Sequence, residues 1–140
     1  MNYQVNPLVG VGPIQFGMKR SELRQSLSIE YKEFQRSNAD FTEDYFEAYE
    51  IFIRYKQSDT VENVEVSYDT PLTISYKNEN LFKPFNELKS FLEKEDPELE
   101  TDHEGITSHK LGIGAWYPHL GEEPQNLPES IILFEDGYYK

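Results

Sequence analysis

An internal repeat constrains the fold of this 140-residue chain more than any other feature of its sequence. The first half has an apolar stretch at residues 12–18, a helical pattern that ends at Leu27, and alternating segments at 49–55 and 61–68. The second half has an apolar stretch at 72–76, a helical pattern at 84–95, and strand patterns at 106–116 and 130–134. Each half therefore predicts the order strand, helix, strand, strand. Such a repeat determines how surfaces are built rather than what they bind.

The repeat predicts an α+β fold with pseudo-repeats at about 8–69 and 70–140. The length of 140 residues predicts a single domain, residues 1–140. Two tandem β-α-β-β units would place their helices on one face of a curved antiparallel sheet. Residues 49–55 and 61–68 alternate around a turn and predict an antiparallel hairpin. Residues 31–44 show no clear period and predict a loop or a partly extended segment. The sequence leaves open whether the sheets of the two halves join edge to edge.

Charge and apolar patterning exclude several classes of partner. The formal net charge is -13, with 26 acidic against 13 basic residues, so the surface repels phosphate backbones and anionic lipids. We therefore expect no direct binding to nucleic acid or to membranes. No apolar run approaches the ~20 residues that cross a bilayer, and residues 1–12 lack the pattern of a signal peptide. The absence of Cys excludes disulfides and thiolate chemistry, and we expect a cytoplasmic protein.

The densest acidic segment is residues 93–104, which carries seven carboxylates and a single Lys. Charged runs commonly form solvated helix ends and loops. The functional alternative is a surface that attracts a basic partner, because clustered carboxylates speed the encounter and set its specificity. The candidate partner-binding carboxylates in this segment are Glu93, Glu95, Asp96, Glu98, Glu100, Asp102 and Glu104.

Two further groups complete the candidate partner-binding set. Trp116 and Tyr117 lie between a Gly-rich strand and a Pro/Gly-rich loop, where a Trp is either an exposed binding anchor or a core residue that covers the sheet. A second choice of acidic face is the predicted hairpin around Asp44, Glu47 and Glu50.

The sequence offers little catalytic or metal-binding chemistry. The three His (His103, His109 and His119) lie in one window, but their spacing with Asp102 and Glu104 matches no established ligand pattern. Glu43, Asp44 and Glu47 could supply an acid and a base, yet nothing places two of these carboxylates around a buried pocket. We therefore expect no enzyme activity, no metal and no cofactor.

Two sets of residues carry a resemblance to known families. The run GPIQFGMKRSEL at residues 12–23 resembles the opening of small bacterial domains that place a helical element on a curved antiparallel sheet. These domains include the tandem β-lactamase-inhibitory-protein fold and small lipoproteins of outer-membrane assembly, although this chain has no lipobox Cys. Residues 80–82, 111–116 and 134–139 make the whole chain similar to small acidic immunity proteins of bacterial polymorphic and contact-dependent toxin systems. The resemblance implies tight binding to a toxin domain and no catalytic residues.

The leading hypothesis is an immunity-type protein that neutralises a toxin with a basic surface by occluding its active or substrate-binding surface. A nuclease toxin fits best, because its nucleic-acid groove must be basic and an acidic surface complements it. We expect a monomer or a weak dimer. One alternative is a small-ligand-binding protein or enzyme that uses the concave sheet face, and another is an adaptor domain for an unrelated basic partner.

Overall fold

A computed structural model describes residues 1–35, 42–119 and 126–138. The chain folds as an α+β protein with mostly antiparallel sheets. Its two described helices are α1 (Arg20–Leu27) and α2 (Phe85–Glu93). Five strands form a small sheet in the order β3-β2-β1-β8-β9, and eight form a large sheet in the order β10-β11-β12-β13-β7-β6-β5-β4.

The small sheet consists of β1 (Asn2–Asn6), β2 (Gly10–Val11), β3 (Ile14–Gln15), β8 (Thr73–Tyr76) and β9 (Glu79–Asn80). The large sheet consists of β4 (Lys32–Gln35), β5 (Thr42–Phe46), β6 (Ile51–Tyr55), β7 (Val61–Ser67), β10 (Glu100–Thr101), β11 (Gly105–Ser108), β12 (Ile113–Trp116) and β13 (Ser130–Phe134).

The two helices follow the apolar spacing of the sequence. In α1, Leu23 and Leu27 are four residues apart and both are buried, and in α2 the same holds for Leu88 and Leu92. The side chain of Glu22 accepts a hydrogen bond from the backbone N–H of Lys19 at 2.9 Å, which satisfies a donor at the start of α1. Each helix therefore presents one apolar stripe to the core.

The predicted hairpin of 49–55 with 61–68 is confirmed, because β6 and β7 pair antiparallel with Ile53 opposite Val64. Other segments are divided more finely than the sequence indicated. The segment 106–116 forms two paired strands, β11 and β12, and Gly112 lies between them with a φ of 67°. Residues 31–44 contribute strands β4 and β5 where a loop or a partly extended segment was predicted, and residues 36–41 of that prediction lie outside the described residues.

The predicted β-α-β-β repeat unit is not confirmed. In each half the helix is followed by four strands of the large sheet, β4 to β7 after α1 and β10 to β13 after α2. The two halves join edge to edge, because β13 pairs antiparallel with β7 and Ile132 lies opposite Glu65. The sheets are also not purely antiparallel, since β1 pairs with β8 in parallel.

The core lies between the large sheet, the small sheet and the two helices. Residues from all of these elements form one buried cluster, which includes Leu23, Leu88, Ile74, Ile53 and Ile131. Antiparallel neighbours point to the same side of a sheet, so the register assigns the residues between these apolar positions to the opposite face. We call this opposite side of the large sheet the open face.

Candidate functional site

The open face carries a continuous set of side chains that the strand register brings together. One row runs across the sheet through Thr107, Gly114, Ile132, Glu65, Phe52 and Tyr45. A second row contains Gly105, Trp116, Ser130 and Ser67. The ring of Tyr138 packs at 5.5 Å from that of Phe134, so the described C-terminal turn covers one end of this face.

A groove of about 330 Å³ lies on the second-half side of the open face. Gly105 and Gly114 lie along it, Trp116 and Ile132 line it, and Glu65, Asp102 and Glu104 contribute carboxylates. Trp116 is 46% exposed, which is unusual for so large an apolar side chain and leaves its indole accessible beside the glycines. We call this set of residues the groove.

Close packing explains the two glycines of the groove. A Cβ at Gly105 would lie 2.8 Å from the carbonyl oxygen of Ala115, and one at Gly114 would lie 2.7 Å from Cγ2 of Ile132. Both distances are shorter than a van der Waals contact, so neither position accommodates a larger residue without rearrangement. Part of the groove is therefore polypeptide backbone rather than side chain.

The loop before β11 positions the acidic side of the groove. Oδ1 of Asp102 accepts a hydrogen bond from the backbone N–H of Glu104 at 2.8 Å, and the N–H of Asp102 donates to the carbonyl of Gly105 at 3.0 Å. The carbonyl of Glu104 accepts from the N–H of Tyr117 at 2.6 Å. These bonds place two exposed carboxylates next to the Trp116 strand.

Trp116 and Tyr117 have opposite environments although they are adjacent in the chain. Tyr117 is 1% exposed, its ring packs edge-on against Phe85 at 5.3 Å, and its hydroxyl donates to the carbonyl of Lys83 at 2.7 Å. Burial raises the pKa of this phenol above its usual range. Tyr117 therefore anchors the end of β12 to the start of α2, and only Trp116 contributes to the open face.

The predicted acidic segment does not form one uniform surface. Glu93, Glu98, Glu100, Asp102 and Glu104 are exposed. Asp96 is buried, and its carboxylate accepts hydrogen bonds from the hydroxyl of Ser108 at 2.7 Å and from the N–H of Glu98 at 3.0 Å. Glu95 is half-buried and bonded to Lys77 and Tyr76, and the bond to Lys77 is the main cause that lowers its pKa.

The second-choice acidic residues are also separated by the fold. Asp44 is fully buried beneath α1, whereas Glu47 is exposed and lies 3.8 Å from Lys32. Glu50 is half-buried and accepts a hydrogen bond from the hydroxyl of Tyr45 at 2.9 Å. The structure therefore does not bring these three carboxylates together on one exposed face.

Sequence reasoning missed the charged network around Asp44. Its carboxylate accepts from Nε and Nη2 of Arg24 at 2.7 and 2.8 Å and from the hydroxyl of Tyr55 at 2.7 Å. The guanidinium of Arg20 lies 4.0 Å from the Tyr55 ring. The signal that could have found the network is the spacing of the two Arg, four residues apart on the polar side of α1. Because the carboxylate is buried and fully bonded, we assign this network a structural role.

An aromatic cluster on the first half of the open face was also missed. The rings of Tyr45 and Phe52 stack at 4.5 Å, and Phe34 meets Phe52 edge-on at 6.1 Å. Detecting it required the pairing of β4, β5 and β6, which the sequence did not reveal. The open face therefore presents aromatic rings on both halves.

The structure does not gather the His residues into a metal-binding cluster. Nε2 of His109 lies 2.9 Å from Glu100, and Nε2 of His103 lies 3.6 Å from Glu104, both near the surface. Within residues 1–35, 42–119 and 126–138, no group of three or more His, Cys, Asp or Glu side chains could hold a metal ion.

In the same residues, neither helix combines the length and the apolar character that crossing a bilayer requires.

Comparison with protein-family models, with curated proteins and with solved structures finds no match to this chain.

Proposed function

We propose that this chain is an immunity-type protein of the cytoplasm, which neutralises a bacterial toxin by covering the toxin's basic active or substrate-binding surface. One observation carries the proposal: the exposed acidic residues Asp102 and Glu104 and the exposed Trp116 border the same groove. These residues belong to the set that the sequence singled out on charge and residue type alone. Their convergence on a face that no described helix covers favours binding to another macromolecule.

The charge of the groove supports a basic partner. A surface lined by carboxylates, on a chain with net charge -13, attracts a basic protein over several ångströms and disfavours an acidic one. The exposed indole of Trp116 supplies the buried contact that charge alone does not, because Trp is enriched among residues that dominate interface energetics. Carboxylates therefore select the partner and Trp116 holds it.

A nuclease is the class of toxin that these features favour. Nucleases bind a polyanion, so their substrate groove is basic and accepts an acidic protein surface in place of phosphates. We include in this proposal the resemblance to domains of the tandem β-lactamase-inhibitory-protein fold, whose helices lie on one face of a curved sheet. In such a scaffold the other face of the sheet stays available for the toxin.

Co-expression with the toxin domain encoded beside this chain's gene tests the proposal. We expect the chain to restore growth of the host and to form a complex with the purified toxin domain. The double variant Glu100→Lys with Glu104→Lys should weaken that complex by about tenfold or more. Glu104 lines the groove, and the exposed Glu100 lies opposite Thr107, which lines the groove as well. The binding constant is measured by titration calorimetry at low ionic strength.

The matched control is Glu30→Lys with Glu87→Lys, which changes the net charge equally at two exposed positions outside the groove. This variant should retain the affinity of the unaltered chain. Equal losses in both double variants would contradict a localised site. Neighbouring genes that encode only metabolic enzymes, or a toxin that stays fully active with the chain in excess, would overturn the proposal itself.

A further inference from the structure

We propose that the groove receives an arginine side chain, which an extended loop of the basic partner inserts against Trp116. The inference rests on the proposed function, because it names the chemistry of the partner at the same site. The guanidinium would stack on the indole of Trp116 while the carboxylates of Asp102 and Glu104 accept its hydrogen bonds. The groove has the shape, the charge and the rigidity that such a contact requires.

The shape of the groove suits a narrow insertion. Its volume of about 330 Å³ is close to the lower limit for small-ligand sites, so one long side chain fits inside it. Gly105 and Gly114 have no side chains, so their backbone atoms line the groove, and the exposed side chain of Trp116 lies beside them. A flat guanidinium on an extended segment matches this surface.

Charge and stacking together favour Arg over Lys. A guanidinium is planar and weakly hydrated, it stacks on aromatic faces, and it binds carboxylates through two parallel hydrogen bonds. An ammonium group offers the charge without the planar contact. Because the groove combines an exposed indole with the carboxylates of Asp102 and Glu104, it offers both interactions that a guanidinium makes.

The same features argue against other occupants. A second copy of the chain would bring its own groove carboxylates, on a molecule of net charge -13, against those of the first. A nucleic acid would bring phosphates against them. A basic loop from a different protein is the partner whose charge complements the groove.

The groove is held in place before any partner arrives. The carbonyl of Trp116 accepts from the N–H of Glu129 at 2.8 Å, and the carbonyl of Glu129 accepts from the N–H of Tyr68 at 2.8 Å. The buried ring of Tyr117 fixes the residue that follows β12. Binding therefore requires little ordering of the protein, which favours association.

A titration with short peptides tests the inference on the intact chain. The probes are acetyl-Gly-Arg-Gly-amide and its Lys and Glu counterparts, followed by amide NMR shifts and by the fluorescence of Trp116, the single Trp of the chain. We expect the Arg peptide to shift Gly105, Thr107, Gly114 and the Trp116 indole. It should bind about two- to fivefold more tightly than the Lys peptide, and the Glu peptide should not bind.

Two variants with equal charge change locate the site. Glu104→Gln should lower the affinity of the chain for the Arg peptide by about two- to fivefold. Glu98→Gln should leave its binding unchanged, because Glu98 is exposed but lies outside the groove. Trp116→Ala should abolish the shift at Gly114. Equal binding of the Arg and Glu peptides, shifts confined to other residues, or equal effects of the two Gln variants would overturn the inference.

These results separate the inference from the proposed function. Arg-peptide binding in the groove by a chain that neutralises no toxin would support the inference and overturn the function. Toxin neutralisation by a chain whose groove binds no Arg peptide would support the function and overturn the inference.

Discussion

At the scale of single residues, the carboxylate of Asp44 connects α1 to the large sheet. It is fully buried and accepts hydrogen bonds from Arg24 on α1 and from Tyr55 on β6. A buried charge is tolerated when its hydrogen bonds are complete, and removing one partner leaves the others unsatisfied. Asp44 therefore holds the position of α1 through charge, in addition to the apolar contacts of Leu23 and Leu27.

Replacing Asp44 tests this role. Asp44→Ala should lower the free energy of unfolding by about 3 kcal/mol, because it leaves the Arg24 guanidinium and the Tyr55 hydroxyl without their acceptor. Urea unfolding followed by circular dichroism measures the change. Glu47→Ala is the control, since its carboxylate is exposed and lies 3.8 Å from Lys32, and it should change the free energy by less than about 0.5 kcal/mol. Similar losses in both variants would contradict the assignment.

The neighbours Trp116 and Tyr117 show what single-residue reasoning can and cannot predict. Residue type singled out both as aromatic anchors. Because side chains alternate along an extended chain, Trp116 and Tyr117 must point to opposite sides of the sheet. Which of the two lies on the open face depends on the register of β12 against β13, where Trp116 lies opposite Ser130. Register is a property of the assembled sheet, so composition and local pattern could not separate the two.

At the scale of elements, the hairpin of β8 and β9 turns through two residues with positive φ. Lys77 has a φ of 52° and Asn78 a φ of 67°, and Tyr76 pairs directly with Glu79. Two left-handed residues in a two-residue loop define a type I′ turn, which matches the twist of the flanking strands. Asn tolerates this conformation, which is one physical reason for its presence in the turn.

Substitutions at Asn78 test whether the turn requires a residue that tolerates positive φ. Asn78→Gly should be more stable than Asn78→Ala by about 1 kcal/mol, because Ala is strained at positive φ and Gly is not. Both variants lose the same exposed hydrogen bond from Gln4, so that contribution cancels. At Asn6, in strand β1, the Gly variant should instead be less stable than the Ala variant, since Gly weakens a strand. Thermal unfolding of the four variants provides the comparison.

Elements with a strong period were predictable, and elements defined by turns were not. The spacing of Leu23 with Leu27 and the alternation of 49–55 were sufficient for α1 and for the β6–β7 hairpin. The sequence predicted one continuous strand pattern over segment 106–116, yet the chain reverses between Ser108 and Ile113, where Gly112 adopts a φ of 67°. A single glycine is a weak signal for a reversal, because glycines also occur within strands.

At the scale of the whole molecule, buried phenols link stability to alkaline pH. Burial is the main cause that raises the pKa of Tyr76 to about 12. It also raises the pKa of Tyr55 and of Tyr117 above their usual range. The folded protein therefore retains these protons at a pH where an unfolded chain, with phenols near pKa 10, releases them.

The free energy of unfolding should fall as pH rises above about 10. At that pH the tyrosines of the unfolded chain lose their protons while the buried tyrosines of the folded protein keep theirs, which favours unfolding. The contribution of Tyr76 is fully present below about pH 10 and is lost as pH approaches about 12. Urea midpoints between about pH 8 and pH 11, together with tyrosinate absorbance, measure the effect. Tyr76→Phe should flatten the dependence, whereas Tyr68→Phe, at an exposed position, should not. A midpoint independent of pH across this range would contradict the prediction.

The sequence by itself determined the local periods, the acidic balance and the residue types that a basic partner would meet. The helices, the β6–β7 hairpin and the α+β class follow from it, because apolar spacing is a short-range property. Only the tertiary structure decided that two runs of four strands join through β13 and β7, and that Trp116 and Glu104 share a groove while Asp96, Tyr117 and Asp44 are buried. These outcomes depend on strand register and on which faces pack together, which are set by contacts between residues far apart in the chain.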